Sequence, residues 1–194
     1  MKIFDAVYTA AVFLQLDGLC DAMNAEDFNR EDYKTSLSAE NAAELEILVR
    51  CCNLVLGELS SSEFPLKKCA NTVSKSGRIE YSSLPEKITD IYCVLANGKS
   101  LPFAEYYDCV TVPYSGECVV TYSFAPRAVT LSSVSPYVGN KPSARLTAYG
   151  IAREYCLISG MTDDAALWDS RFVACVEEEA RGRGSKVVRR RKWF

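Results

Sequence analysis

Residues 88–101 read ITDIYCVLANGKSL. The run from Ile88 to Leu95 is short and rich in β-branched and aromatic side chains, the composition of a strand. Asn97-Gly98 follows it. Both residues tolerate positive φ, which a two-residue hairpin turn requires, so the pair is a strong local signal for an antiparallel turn. Strand composition resumes at Leu101 to Phe103. This stretch places a β-hairpin in the middle of the chain.

Working outward, Ile79-Glu80-Tyr81, Cys109 to Val112 and Cys118 to Phe124 have the same composition, and Ser115-Gly116 offers a second turn. Together they predict a small antiparallel β-domain over residues 72–126, closed by Ala125-Pro126. Towards the N-terminus the apolar period becomes helical. Ile3 to Leu16 places Phe4, Val7, Ala11 and Leu14 on one face, with Gly18 as the expected stop. Residues 21–37 are acidic and polar and read as a solvated connection. Ser38 is a good N-cap and Glu40 suits the positive helix end. Ala42, Leu45, Leu48, Val49, Cys52, Val55 and Leu56 then mark an amphipathic helix ending near Gly57.

Beyond the β-block, helical period resumes at Ser143 with Leu146, Tyr149, Ile151, Cys156 and Leu157, and Gly160 supplies a C-terminal stop. Thr162 is positioned to cap a last helix. Asp163 and Asp164 stand in its first turn, and its expected stripe is Leu167, Trp168, Phe172 and Cys175. The expected fold class is α+β, a helical bundle formed by N- and C-terminal helices with a small antiparallel β-domain inserted. Its parts are residues 1–71, 72–126, 127–180 and a tail, 181–194.

Composition narrows the chemistry. The 194 residues contain no histidine, which removes Ser-His and Cys-His nucleophile pairs, His-ligated zinc and a histidine general base. The nine cysteines include no Cys-x-x-Cys pair, so they read as reduced structural thiols rather than zinc ligands. No apolar run is long enough for a membrane span. Met1-Lys2 and the stretch behind them resemble a secretion signal only superficially: Asp5 interrupts the apolar run, and Leu19 precedes Cys20 where a lipoprotein signal needs a small residue. Charge is divided along the chain. Residues 1–180 carry 15 basic and 25 acidic side chains, a balance of −10. Residues 181–194 carry seven basic side chains and no acidic one, and such a tail suits an anionic partner.

The candidate sites sort accordingly. Arg181-Gly182-Arg183-Gly184-Ser185-Lys186 follows a helix and lacks the spacing of a phosphate loop. Glu177, Glu178 and Glu179 point about 100° apart on a helix, so they read as a solvated face rather than a metal site. Asp163-Asp164 reads as helix-dipole stabilisation. Tyr106, Tyr107, Tyr114 and Tyr122 read as core and interface packing, because few cations are interleaved with them. Asp108 and Glu117 are the remaining carboxylates for a histidine-free enzyme. The tail Arg189-Arg190-Arg191-Lys192-Trp193-Phe194 differs from these. Two aromatics behind four cations suit a docking segment, the rings filling a pocket and the cations pairing with carboxylates or phosphates. A nucleic-acid-binding accessory role through this tail is the alternative.

Residues 144–194 resemble the C-terminal helices and tail of tailed-phage head-to-tail adaptor proteins. The likeness is carried by Ala148-Tyr149-Gly150-Ile151-Ala152, Glu154-Tyr155-Cys156, Gly160, Ala165 to Trp168 and Arg190-Arg191-Lys192-Trp193. The strand block, with Ile79-Glu80-Tyr81-Ser82, Gly98, Gly116 and Val120-Thr121-Tyr122 before Pro126, resembles the β-domain of the larger members. That family includes the tail tubular protein A of short-tailed phages and the head-completion connectors of long-tailed ones. The resemblance implies a non-enzymatic structural protein of the virion, assembled in the host cytoplasm. It implies a ring of twelve copies beneath the portal protein, joined to tail proteins, with DNA passing through without specific binding. No cofactor, metal or membrane is implied. Arg189, Arg190, Arg191, Lys192, Trp193 and Phe194 would dock on the portal. An acidic body suits such a channel, since a negative wall repels phosphates.

Overall fold

A computed structural model of the chain describes residues 1–137, 139 and 141–181. In chain order the elements are α1 (Ile3–Phe13), α2 (Asp17–Asn24), α3 (Tyr33–Ser36), α4 (Ala39–Ser61), β1 (Leu66–Ser74), β2 (Arg78–Glu80), a 3-10 turn at Tyr81–Ser83, β3 (Ile88–Ala96), β4 (Lys99–Leu101), β5 (Ala104–Glu105), β6 (Cys109–Thr111), β7 (Gly116–Phe124), α5 (Ala144–Ile158) and α6 (Thr162–Arg181). The class is α+β. Two compact units divide the chain, one from residues 1–55 with the chain from Val129 onward, the other from Leu56–Ala128.

In the helical unit, α1 buries Ile3, Ala6, Val7, Ala10 and Ala11 at helical spacing. Three of these are alanines, which lets α1 lie close to α5. Its stop differs from the expected one. The chain turns at Gln15, whose φ is +57°, and Gly18 falls inside α2. The expected connection over 21–37 also holds more structure than its polarity suggests. It includes the end of α2, which buries Leu19, Cys20 and Met23, and the single turn of α3. Of these three only Met23 lies within that stretch, and its burial, worth about 1.5–3 kcal/mol of apolar transfer, holds the end of the helix in place.

Helix α5 is the centre of this unit, with every residue from Leu146 to Ala152 buried. Ser143 caps it, its hydroxyl accepting from the Leu146 N–H at 3.1 Å. At the far end Gly160 has φ +75°. The Met161 N–H reaches back to the Cys156 carbonyl at 2.8 Å, a Schellman closure. Helix α6 buries Ala165 and Phe172. Leu167, expected in that stripe, is 50% exposed, because its position on the turn falls outside the arc that meets α5.

The β-unit contains two antiparallel sheets, ordered β1-β7-β3-β4 and β2-β6-β5. The hairpin at Asn97-Gly98 joins β3 to β4, with φ values of +50° and +75°. The Ser115-Gly116 turn does not join paired strands. Strand β6 pairs with β2 and β5, and β7 with β1 and β3. The first strand starts at Leu66, inside the stretch expected to be N-terminal helix. Its sequence, LKKCANTVS, alternates buried or half-buried with exposed positions yet is too polar to read as a strand. Ile79, Leu84, Ile91, Val94, Val110, Val112, Val120 and Tyr122 form the core of this unit.

Candidate docking site

The expected anchors Arg189, Arg190, Arg191, Lys192, Trp193 and Phe194 lie outside the described residues. What the structure describes is the platform that leads to them, the α5–α6 helix pair. The close crossing begins at Gly150. A Cβ placed there would lie 2.7 and 2.8 Å from the two Val55 methyl carbons and 3.0 Å from Phe172. Only a residue without a side chain lets α5 approach α4 and α6 so closely.

Arg153 ties the pair together. Its side chain is only 12% exposed and meets Glu154 at 2.7 Å and Asp169 of α6 at 3.2 Å. Its guanidinium also lies 4.6 Å from the Phe172 ring centre. Beside it Phe13, Tyr149 and Trp168 stack, with neighbouring ring centres 5.2–5.9 Å apart. Arg145 donates to the Tyr149 hydroxyl at 2.8 Å, and Arg171 sits over Trp168. Tyr149 and Trp168 therefore form part of the packing between helices.

The loop end of this helix pair is apolar and open. Leu157 is 53% exposed and Ile158 58%, with Met161 beside them in sequence. A shallow cavity of about 370 Å³ adjoins it, lined by Arg153, Glu154, Leu157, Thr162, Ala165 and Asp169 among others. Apolar side chains grouped at the end of a helix pair fit a protein contact.

The three glutamates near the end of α6 separate in role. Glu177 pairs with Arg181 at 2.6 Å and Glu178 is exposed. Glu179 departs from the expected solvated face. Its carboxylate accepts from the Ser143 N–H at 3.1 Å, and its backbone carbonyl accepts from Lys141 at 2.6 Å. It fixes the start of α5. Among the described residues, no group of three or more cysteine, aspartate or glutamate side chains is placed to hold a metal ion.

In the β-unit the four tyrosines divide. Tyr122 is fully buried, and that burial raises its phenol above the usual range. Tyr114 packs against the core cluster, while Tyr106 and Tyr107 are exposed. Asp108 lines a groove of about 590 Å³ with Glu80, Glu86, Glu105, Tyr81 and Tyr107. Glu117 lines a different cavity, of about 500 Å³, with Val73, Leu95 and Val119. The two carboxylates are not brought together, and Asp108 already pairs with Arg78 at 2.6 Å. The thiols of Cys51 and Cys52 point away from nucleophilic chemistry. Burial, and for Cys51 also the nearby Glu154, pushes Cys51 up to about 11 and Cys52 up to about 12, whereas an activated thiol needs a lowered pKa.

No protein-family model matches the chain, and no curated protein matches it either. Among the described residues, no helix is long and apolar enough to cross a membrane.

Proposed function

We propose that the chain is a structural subunit of a tailed-phage head-to-tail connector, a ring protein that docks on the portal and carries the tail. The observation that carries this reading is the α5–α6 pair. The segment whose residues resemble the adaptor family folds as a tightly crossed helix hairpin with an exposed apolar loop end. That hairpin finishes at Arg181, where the basic and aromatic tail begins.

In this reading the protein works by contact alone. Helix α5 and its neighbours supply a rigid body, the hairpin end supplies an apolar contact, and Arg189, Arg190, Arg191, Lys192, Trp193 and Phe194 anchor on the portal. A subunit of a closed ring uses two different surfaces, one for each neighbour. The net charge of −10 over residues 1–180 suits a body beside which DNA slides rather than binds. The partners are then portal and tail proteins, the assembly is a ring of twelve copies, and the protein resides in the virion after assembly in the host cytoplasm.

The test is negative-stain imaging of the protein mixed with purified portal rings. The full chain is expected to add a layer of density to the ring, and a chain lacking residues 189–194 to add none while keeping its fold. A truncated protein that still decorates the ring overturns the anchor assignment. A second reading, a nucleic-acid-binding accessory protein, is favoured by the seven cations and absent acids of residues 181–194. It requires DNA binding that weakens steeply with salt. A flat titration at low salt removes it.

A further inference from the structure

The long edge of the larger sheet is open. Strand β1 runs for nine residues along β7 with no shift in register, from Leu66 opposite Phe124 to Ser74 opposite Gly116. Among the described residues, no backbone group between Leu66 and Ser74 makes a backbone hydrogen bond other than to β7. A row of free N–H and C=O groups is a template for another strand, and proteins ordinarily blunt it with proline, a bulge or protruding charge. None of the three protects β1. It contains no proline and its ladder has no bulge. Its two lysines are engaged elsewhere: Lys67 lies over the Tyr92 ring at 3.8 Å, and Lys68 meets Glu86 at 3.4 Å. From Cys69 to Ser74 the edge carries no charge, and Cys69, Asn71 and Val73 are exposed on one face.

We propose that this edge pairs antiparallel with β1 of a second copy, joining two four-stranded sheets into one of eight strands. The choice of occupant follows from length. A partner strand must match nine residues, roughly 30 Å of extended chain. Among the described residues the other sheet edges are three residues in β2 and β4, and two in β5, and β4 is followed at once by Pro102, which cannot donate to a ladder. The other long strands, β3 and β7, stand inside the sheet. Strand β1 matches itself in length and in its uncharged stretch from Cys69 to Ser74, and a two-fold axis satisfies both open edges at once. The pairing does not rest on the connector reading. A two-fold contact cannot be the repeating contact of a ring, so it belongs to the free protein.

The experiment is sedimentation equilibrium of the full chain up to about 200 μM, with cross-linking at the exposed thiol of Cys69. A reversible dimer is expected. Asn71→Lys and Val73→Lys add charge to exposed positions of the edge and are expected to weaken it at least about tenfold, with far-UV dichroism and melting temperature unchanged. A short bis-maleimide is expected to link two copies, and Cys69→Ser to abolish the link while the dimer survives. A monomer throughout the concentration range overturns the proposal, as does a dimer indifferent to both lysines. Cross-linking that persists in Cys69→Ser once the partly exposed Cys93 and Cys175 are also serine does the same.

Discussion

The side-chain amide of Asn53 holds both backbone groups of Val129, accepting from its N–H at 2.7 Å and donating to its carbonyl at 3.1 Å. One side chain thus stands in for a strand partner where the chain re-enters the helical unit after the β-unit. Replacing Asn53 with alanine leaves two half-buried backbone groups unpaired, a cost of about 1–3 kcal/mol. Asn53→Asp keeps an acceptor but sets a carboxylate against the Val129 carbonyl, and is expected to be no better. Denaturant unfolding of the two variants checks this. Full stability in Asn53→Ala would show that water replaces the amide without loss.

Gly150 makes a second sharp demand. In most exposed helices Gly→Ala is stabilising by up to about 1 kcal/mol. Here the added methyl meets Val55 at 2.7 Å and Phe172 at 3.0 Å, an overpacking that costs about 1–3 kcal/mol. Gly150→Ala is expected to lower the melting temperature. Pairing it with Val55→Ala is expected to recover part of that loss, which a thermal melt of the double variant reads directly.

The buried thiols set an alkaline limit. Cys51 and Cys52 are raised in the folded protein to about 11 and about 12, from an ordinary value near 9. The unfolded chain therefore releases these protons first as pH rises. Their contribution is complete below about pH 9 and is lost as pH climbs through the folded values. Stability is expected to be flat in this respect from pH 7 to 9 and to decline above it, with the decline smaller in Cys52→Ala. At pH 8 a thiol reagent is expected to modify Cys69 fastest, and the six buried cysteines only on unfolding. Rapid native-state labelling of Cys52 would contradict the burial.

The β3–β4 turn is strict about its residues. Asn97 and Gly98 both hold positive φ, and space is open around the Gly98 position. Gly98→Val is expected to cost about 1–2 kcal/mol through backbone strain alone. Asn97→Gly is expected to be close to neutral. Equal stability of Gly98→Val and wild type would mean the turn changes type.

The loop end of the α5–α6 pair separates folding from docking. Leu157 and Ile158 are each more than half exposed, so Leu157→Asp and Ile158→Asp are expected to change stability by within about 0.5 kcal/mol. If this end contacts a ring neighbour or the portal, decoration of portal rings falls sharply in both. Unchanged decoration would confine docking to the tail.

Much of this architecture was legible in the sequence because its signals are local. Asn97-Gly98 specifies its own turn and Gly160 its own stop, and the helical period that resumes at Ser143 marks the start of α5. What sequence did not show depends on tertiary partners. Strand β1 carries Lys67, Lys68 and Asn71, and it is a strand because β7 supplies a nine-residue ladder. Gly18 looked like a helix stop, but Gln15 turns the chain and Gly18 sits in α2. The reason for Gly150 lies in Val55 and Phe172, far along the chain or on another helix. Glu179 reads as one of three solvated acids in the sequence, because the Ser143 N–H beside it belongs to a distant segment. The anchor residues Arg189 to Phe194 were read from composition, outside the described residues.

The pairing of α1 with α5 also sets a schedule for synthesis. Residues 3–13 leave the ribosome long before residues 144–158 exist, a wait of roughly ten seconds at ordinary translation speeds. During that interval the nascent helix has α2 beside it but lacks α5, while the intervening strands already have their partners within the two sheets. The middle of this polypeptide can mature first, and its beginning last.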